Sequence, residues 1–247
     1  MLNRNLSLCA AVYFVLFVSI AHAQLPQISS GLNYLSSSQN TEGAWSTDSS
    51  VVDTTAATVS ALESMKLLNQ TTGTPYTAGI SWLQGLSPQS IGYIAERVRA
   101  LSLGDGSANE LIAALDPITG AWGGGEGYEI DVLDTSIVLG ALKSVNYADI
   151  TRIFKTIEYL TTQQNIDGGW GFTQGDDSNV FVTAHVLSTL SQFKSLYIMD
   201  QQLTNAAAFL LSKQNLDGGF GSSPSTVYET ALALIALIES GQGTAVP

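Results

Sequence analysis

Apolar and polar positions along this chain fall into one repeated phrase. An apolar-periodic segment ends at Gln-Asn, a glycine-rich turn carries a large aromatic, and a second segment rich in Ala, Leu, Val and Thr follows. Tyr34 to Trp45 reads YLSSSQNTEGAW, Tyr159 to Trp170 reads YLTTQQNIDGGW, and Phe209 to Phe220 reads FLLSKQNLDGGF. The three align without gaps, and Asp116 to Trp122 (DPITGAW) is a weaker copy. Trp45, Trp122, Trp170 and Phe220 are the matching aromatics. The interval between the first two is wide enough for one degenerate unit, placed around Ile80-Ser81-Trp82-Leu83 and the helical stretch Ile91 to Leu101.

The second segments are Asp53–Leu67, Asp134–Lys143, Val182–Phe193 and Glu229–Ile238. Their apolar spacing suits helices buried on two faces, and the dominance of Ala and Leu argues against strands. Each phrase is then a helical hairpin that cannot bury its faces alone and must stack on its neighbours, with about five units in all. Asp167-Gly168-Gly169 and Asp217-Gly218-Gly219 supply the residues that accept positive φ in a tight turn. The aromatic is read as a wedge between hairpins; lining a ligand cavity is the alternative. Burying such a ring is worth roughly 2–3 kcal/mol.

The phrase Gln-x-x-Asp-Gly-Gly-Trp/Phe, followed by a Thr-rich helix, resembles the repeats of squalene and terpenoid cyclases and of protein prenyltransferase β-subunits. The resemblance spans most of residues 28–240. It implies an all-α fold, an α/α toroid of inner and outer helices. The frame is that of an open or minimal toroid, or of the N-terminal part of a longer one. Squalene–hopene-type cyclases carry an Asp-x-Asp-Asp-Thr-Ala acid motif at the start of an inner helix. The best match here is Asp131-Val132-Leu133-Asp134-Thr135-Ser136, in which Leu133 stands where the family places its proton donor. Asp131 and Asp134 remain the catalytic candidates.

The start of the chain reads as an export signal. Arg4 precedes an apolar run from Leu8 to Ile20, and Ala21-His22-Ala23 is a cleavage site before Gln24. The run is short for a membrane span. Residues 1–23 are therefore read as a signal peptide and 24–247 as one repeat domain, secreted, periplasmic or at the cell surface, with no transmembrane segment once the signal is removed. The single cysteine, Cys9, lies in that signal. A mature chain without cysteine, with His185 as its sole histidine, cannot build the Asp/Cys/His zinc site of prenyltransferases, nor the thioester of complement-type toroids. No metal or cofactor is expected, and nothing in the residues marks a corrin site. The 9 basic and 21 acidic residues give a formal net charge of −12, which argues against nucleic acid as a partner.

Aligning the inner-helix starts pairs Ser50-x-x-Asp53, Asp131-x-x-Asp134, Asn179-x-x-Val182 and Thr226-x-x-Glu229, each followed by Thr. This resembles a capping box, with the acid also opposing the helix dipole. The functional alternative gathers Asp53, Glu129, Asp131, Asp134, His185 and Glu229 at one rim of a cavity, suited to an apolar or cationic small molecule or a protein partner. His185 reads first as a packed core residue. Asp176-Asp177-Ser178-Asn179 is read as a polar loop rather than a calcium site. Residues 123–127 are read as a flexible connector rather than a phosphate loop. The leading expectation is a non-catalytic binding or scaffold toroid. A cyclase-like enzyme with an altered acid, and a purely structural module of a larger secreted protein, are the alternatives.

Overall fold

The computed structural model describes residues 26–46, 51–86, 90–101, 108–125, 128–221 and 224–241. The expected signal peptide and Ser50 lie outside the described residues, and so does the side chain of Asp53. Among the described residues there are ten helices and no strand beyond isolated bridges. They are α1 (Pro26–Ser38), α2 (Val51–Leu67), α3 (Thr74–Gly85), α4 (Ile91–Leu101), α5 (Asn109–Ala113), α6 (Val132–Ser144), α7 (Ile150–Thr162), α8 (Val180–Ser191), α9 (Asp200–Ser212) and α10 (Val227–Glu239). Outer and inner helices alternate in chain order as the repeated phrase predicts, and the fold is of the all-α, α/α-toroid type. No helix among the described residues is long and apolar enough to cross a membrane.

The chain divides into two compact units, residues 1–82 and 83–247. In the second, α4, α6, α8 and α10 form a row in which each packs on the next. Behind them lies a second layer: α5 rests on α4, α7 on α6, and α9 on α8 and α10. This division follows from composition. α8 buries Val180, Val182, Ala184, Val186, Leu187 and Leu190 around most of its circumference, as a helix covered on two sides must. α7 has a one-sided stripe instead, with Ile153, Ile157 and Leu160 buried.

Inner helices begin on side-chain caps. Asp131, Asn179 and Thr226 accept hydrogen bonds from the backbone N–H of Asp134, Val182 and Glu229 at 2.7, 2.8 and 3.1 Å. Replacing such a cap by alanine costs about 1 kcal/mol.

The corner aromatics are wedges. Trp45, Trp122, Trp170 and Phe220 are all buried. Each indole N–H donates to a carbonyl of the preceding outer helix: Trp45 to Leu35 at 2.7 Å, Trp122 to Leu111 at 2.7 Å, and Trp170 to Leu160 at 2.8 Å. Each backbone N–H donates to a threonine hydroxyl on the following inner helix: Thr58, Thr135, Thr183 and Thr230, at 2.9–3.0 Å. The ring is thus pinned at both ends, and its buried donors are satisfied.

This clasp corrects the register of the first unit. Thr58, not Thr54, does what Thr135, Thr183 and Thr230 do. α2 carries an extra turn before the clasp, and the run Asp53-Thr54-Thr55 mimics the motif one turn too early. Asp53 therefore sits one turn upstream of the place equivalent to Asp134.

The Gln-Asn-x-Asp-Gly-Gly turn is also accounted for residue by residue. The Gln164 amide donates to Gly168 O and, across to the next outer helix, to Gln202 O, both at 2.9 Å. Gln39 bridges Gly43 and Pro75 in the same way at 2.8 Å. Asp167 accepts from Gly169 N and Ser178 Oγ. Gly168 has φ +89°, and a Cβ there would stand 2.5 Å from Asn205 O on α9. Gly218 has the same conformation, φ +84°, with nothing within 4 Å of a Cβ.

Of the flexible connector expected at 123–127, residues 126 and 127 lie outside the described residues, and Gly123 and Gly124 make specific backbone contacts. Gly123 bridges to Ile130, Ile91 N donates to Gly124 O at 3.0 Å, and a Cβ on Gly123 would collide with Glu129 O. The described glycines allow a close backbone crossing that fixes the start of α4 against the start of α6.

These two turns yield a paired test. Gly168→Ala should cost on the order of 3 kcal/mol, because positive-φ strain and a backbone clash add. Gly218→Ala should cost about 1–2 kcal/mol, from strain alone. Urea unfolding of both variants checks this; equal losses would refute the packing role assigned to Gly168.

Candidate functional site

The inner row of the second unit presents three tiers of side chains. The second residues of α4, α6, α8 and α10 are Gly92, Leu133, Phe181 and Tyr228. One turn further on stand Glu96, Ile137, His185 and Leu232, and after these Arg99, Gly140, Ser188 and Ile235. Leu133, Ile137, Phe181 and Leu232 are only partly buried against the core.

Charges on α4 act on side chains of α8 and α10. The Glu96 carboxylate on α4 adds to burial in raising the Tyr228 phenol on α10. Burial, with the Arg99 guanidinium of α4, depresses His185 on α8 to about 4. Arg99 pairs with Glu96 at 2.8 Å, and Ser188 donates to Glu239.

Phe181 is the hub of the site. Its ring centroid is 6.3 Å from Phe172, 5.9 Å from Tyr228, and 4.9 Å from His185, which it meets edge-on. His185 Nε2 is buried with no hydrogen-bond partner among protein atoms. A neutral imidazole packed against a ring agrees with the core reading of this residue, yet its position is on the inner tier.

Asp131 and Asp134 play different parts. Asp131 is the N-cap of α6. Asp134 does not reach back as a capping-box acid would. Its carboxyl lies between Gly92 and Gly124, whose Cβ positions would be 3.4 and 3.3 Å from its oxygens. Burial, then the hydrogen bond and the negative charge of Asp131, raise Asp134 to about 7. Two glycines thus make room for a carboxyl that is largely protonated below neutrality. Glu229 does bond its cap, accepting from Thr226 Oγ1 at 2.8 Å. Glu129 is exposed beside the mouth, on the strand-like crossing with Gly123.

The structure therefore brings Asp131, Asp134, His185 and Glu229 onto the inner row and its entry turns. Sequence reading missed Glu96, Arg99, Phe172, Phe181 and Tyr228. Phe181 and Tyr228 were findable, because they share a register with Leu133. Glu96 and Arg99 sit in the degenerate unit, where no motif sets the register. Asp176 is bonded within its own loop, accepting from Thr173 N and Oγ1 at 2.9 Å, as a polar loop predicts.

Comparison with known proteins agrees with this fold. A family model described as "Squalene-hopene cyclase C-terminal domain" matches residues 135–247, and one described as "Prenyltransferase alpha-alpha toroid domain" matches residues 4–93. Over 85 residues the chain is 34% identical to a drimenyl diphosphate synthase of Streptantibioticus cattleyicolor; the match covers 34% of this chain and 15% of that protein. Among solved structures, a protein from Actinoplanes is similar with TM-score 0.68 and 18% identity, over 88% of this chain and 86% of that one. The type II terpene cyclase MstE from Scytonema, in complex with merosterolic acid A, gives TM-score 0.68 and 14% identity over 88% and 83%. Candida albicans protein geranylgeranyltransferase-I gives TM-score 0.61 and 15% identity over 90% and 80%. The repeats are squalene-cyclase- and prenyltransferase-like, and the fold is the α/α toroid of these structures.

The raised Asp134 makes stability depend on pH with a definite sign. Its contribution is fully present below the unfolded value of 3.8 and is lost as pH rises through about 7. Asn at this position mimics the protonated acid at every pH. Asp134→Asn should match the wild type near pH 4 and exceed it at pH 8. The gain should be on the order of 1–2 kcal/mol once solvent contact of a half-buried carboxyl is discounted. His185 acts oppositely, its contribution being lost as pH falls from 6.5 through about 4, so the two variants' difference, not the wild-type profile, is the readout. A difference independent of pH between 4 and 8 would refute the assignment.

Proposed function

We propose that this chain is an exported toroid that binds an apolar small molecule on its inner row without transforming it. One observation carries the reading: the position at which related cyclases hold their proton donor is occupied by Leu133, in a tier with Phe181 and Tyr228. Protonating an isolated alkene needs a strong, positioned acid. Asp131 is committed to capping α6. Asp134, at about 7, holds its proton too firmly to give it to a hydrocarbon. What remains is an apolar and aromatic wall with a few paired polar groups, the composition of a binding pocket.

A second reading is favoured by a specific observation. Asp134 is protonated near neutrality and lies in the first turn of an inner helix, and the 85-residue match is to a diphosphate synthase of the terpenoid class. A cyclase acting on a more easily protonated substrate, with Asp134 as donor, would use the same wall to hold it. Residues 1–23 support an extracellular or periplasmic setting through their charge and apolar pattern.

The test is direct. The purified chain, lacking residues 1–23, is incubated with squalene, farnesol and prenyl diphosphates, with products followed by mass spectrometry and binding by thermal shift. The binding reading expects a rise in Tm with prenyl-chain ligands and no product. Turnover that disappears in Asp134→Asn would replace it with the cyclase reading.

A further inference from the structure

We propose that the ring cluster Phe172, Phe181 and Tyr228 seats the head of a quaternary ammonium ligand, so that the bound molecule is a cationic amphiphile rather than a plain hydrocarbon. This rests on the ligand-binding reading and specifies the chemistry of its site.

The three rings pack on one another, and two of them stay partly open to solvent. Phe172 and Tyr228 flank Phe181 at 6.3 and 5.9 Å, tilted by 36° and 42°. Yet Phe172 is 46% and Tyr228 61% exposed. The corner aromatics Trp122, Trp170 and Phe220 are covered, whereas these two rings are not. Partly open π-faces within about 6 Å of one another are the arrangement that attracts an onium group, since the negative face of each ring meets a charge that needs no hydrogen bond.

Surrounding charge has the matching sign. Carboxylates stand at the starts of α6 and α10, on Asp131 and Glu229. The groups that would repel a cation are neutralised: His185, in contact with Phe181, is held neutral by its low pKa, and Arg99 is paired with Glu96. A metal ion fits poorly, because no group of three His, Cys, Asp or Glu side chains converges among the described residues. The tier below supplies the apolar floor, Ile137 and Leu232, against which a hydrocarbon tail can lie.

The experiment uses the chain without residues 1–23 and two probes of equal shape, choline and its neutral isostere 3,3-dimethylbutan-1-ol, titrated calorimetrically. Choline should bind saturably and about tenfold more tightly than the isostere, the size expected of a partly exposed cation–π site. In Tyr228→Leu, at an exposed position, that preference should fall towards unity. Phe181→Leu should do the same, with circular dichroism confirming the helical fold of both. Equal affinity for the two probes overturns the proposal, as does a choline preference unchanged in Tyr228→Leu. A Tm response to prenyl alcohols with no response to choline removes the onium seat and leaves the binding toroid standing. No response to either class removes both.

Discussion

Everything in this molecule depends on how a corner aromatic is held between two helices. Stacked helical hairpins have no sheet to fix their spacing, and ridges and grooves alone tolerate a wide scatter of angles. Here the angle is set by a clasp with two hydrogen-bonded ends. Thr135 or Thr183 on the inner helix takes the aromatic's backbone N–H, and Leu111 or Leu160 on the outer helix takes its indole N–H. Both donors are buried, so breaking either end leaves a polar group with no water to replace its partner, at a cost of about 1–3 kcal/mol. The ring supplies the burial, and the hydrogen bonds supply the geometry. Gln164 then ties the turn to the start of the next outer helix, so the setting of one hairpin is passed to its neighbour.

That division explains what the sequence disclosed. The clasp and turn need particular residue types at fixed offsets: Trp for its N–H, Gly168 for its φ and its closeness to α9, Asn165 and Asp167 for the turn. Such demands leave a gapless pattern, and corner aromatics and inner helices were legible from it. The first-unit register was misread for a related reason. Local similarity at Asp53-Thr54 competes with Thr58, and only the hydrogen bond to Trp45 decides between them. At the first residues of the expected connector 123–127, a glycine's side-chain absence has two uses, freedom and close approach. Gly123 serves the second.

The inner tiers were harder to read, because nothing in the clasp constrains them. A residue on these tiers need only be compatible with a helix. Gly92, Leu133, Phe181 and Tyr228 share a position and nothing else. Asp131 and Asp134 attracted attention as a motif, yet a helix start selects acids for its own sake. Their separate fates, one a cap and the other a half-buried protonatable group, are set by Gly92 and Gly124, which no helical periodicity distinguishes.

The frame and the chemistry of this fold are therefore carried by different positions of one repeat. Corner, turn and cap hold the hairpins in place, while the second residue of each inner helix is free to vary. Placing an acid there gives a proton donor already anchored by the clasp one residue pair away; placing Leu133, Phe181 and Tyr228 there gives a wall with π-faces at its mouth. The change needs no refolding, since Asp131 keeps its cap and Thr135 keeps its tryptophan. The frame is thus that of the α/α toroid fold, whichever residue stands second in each inner helix.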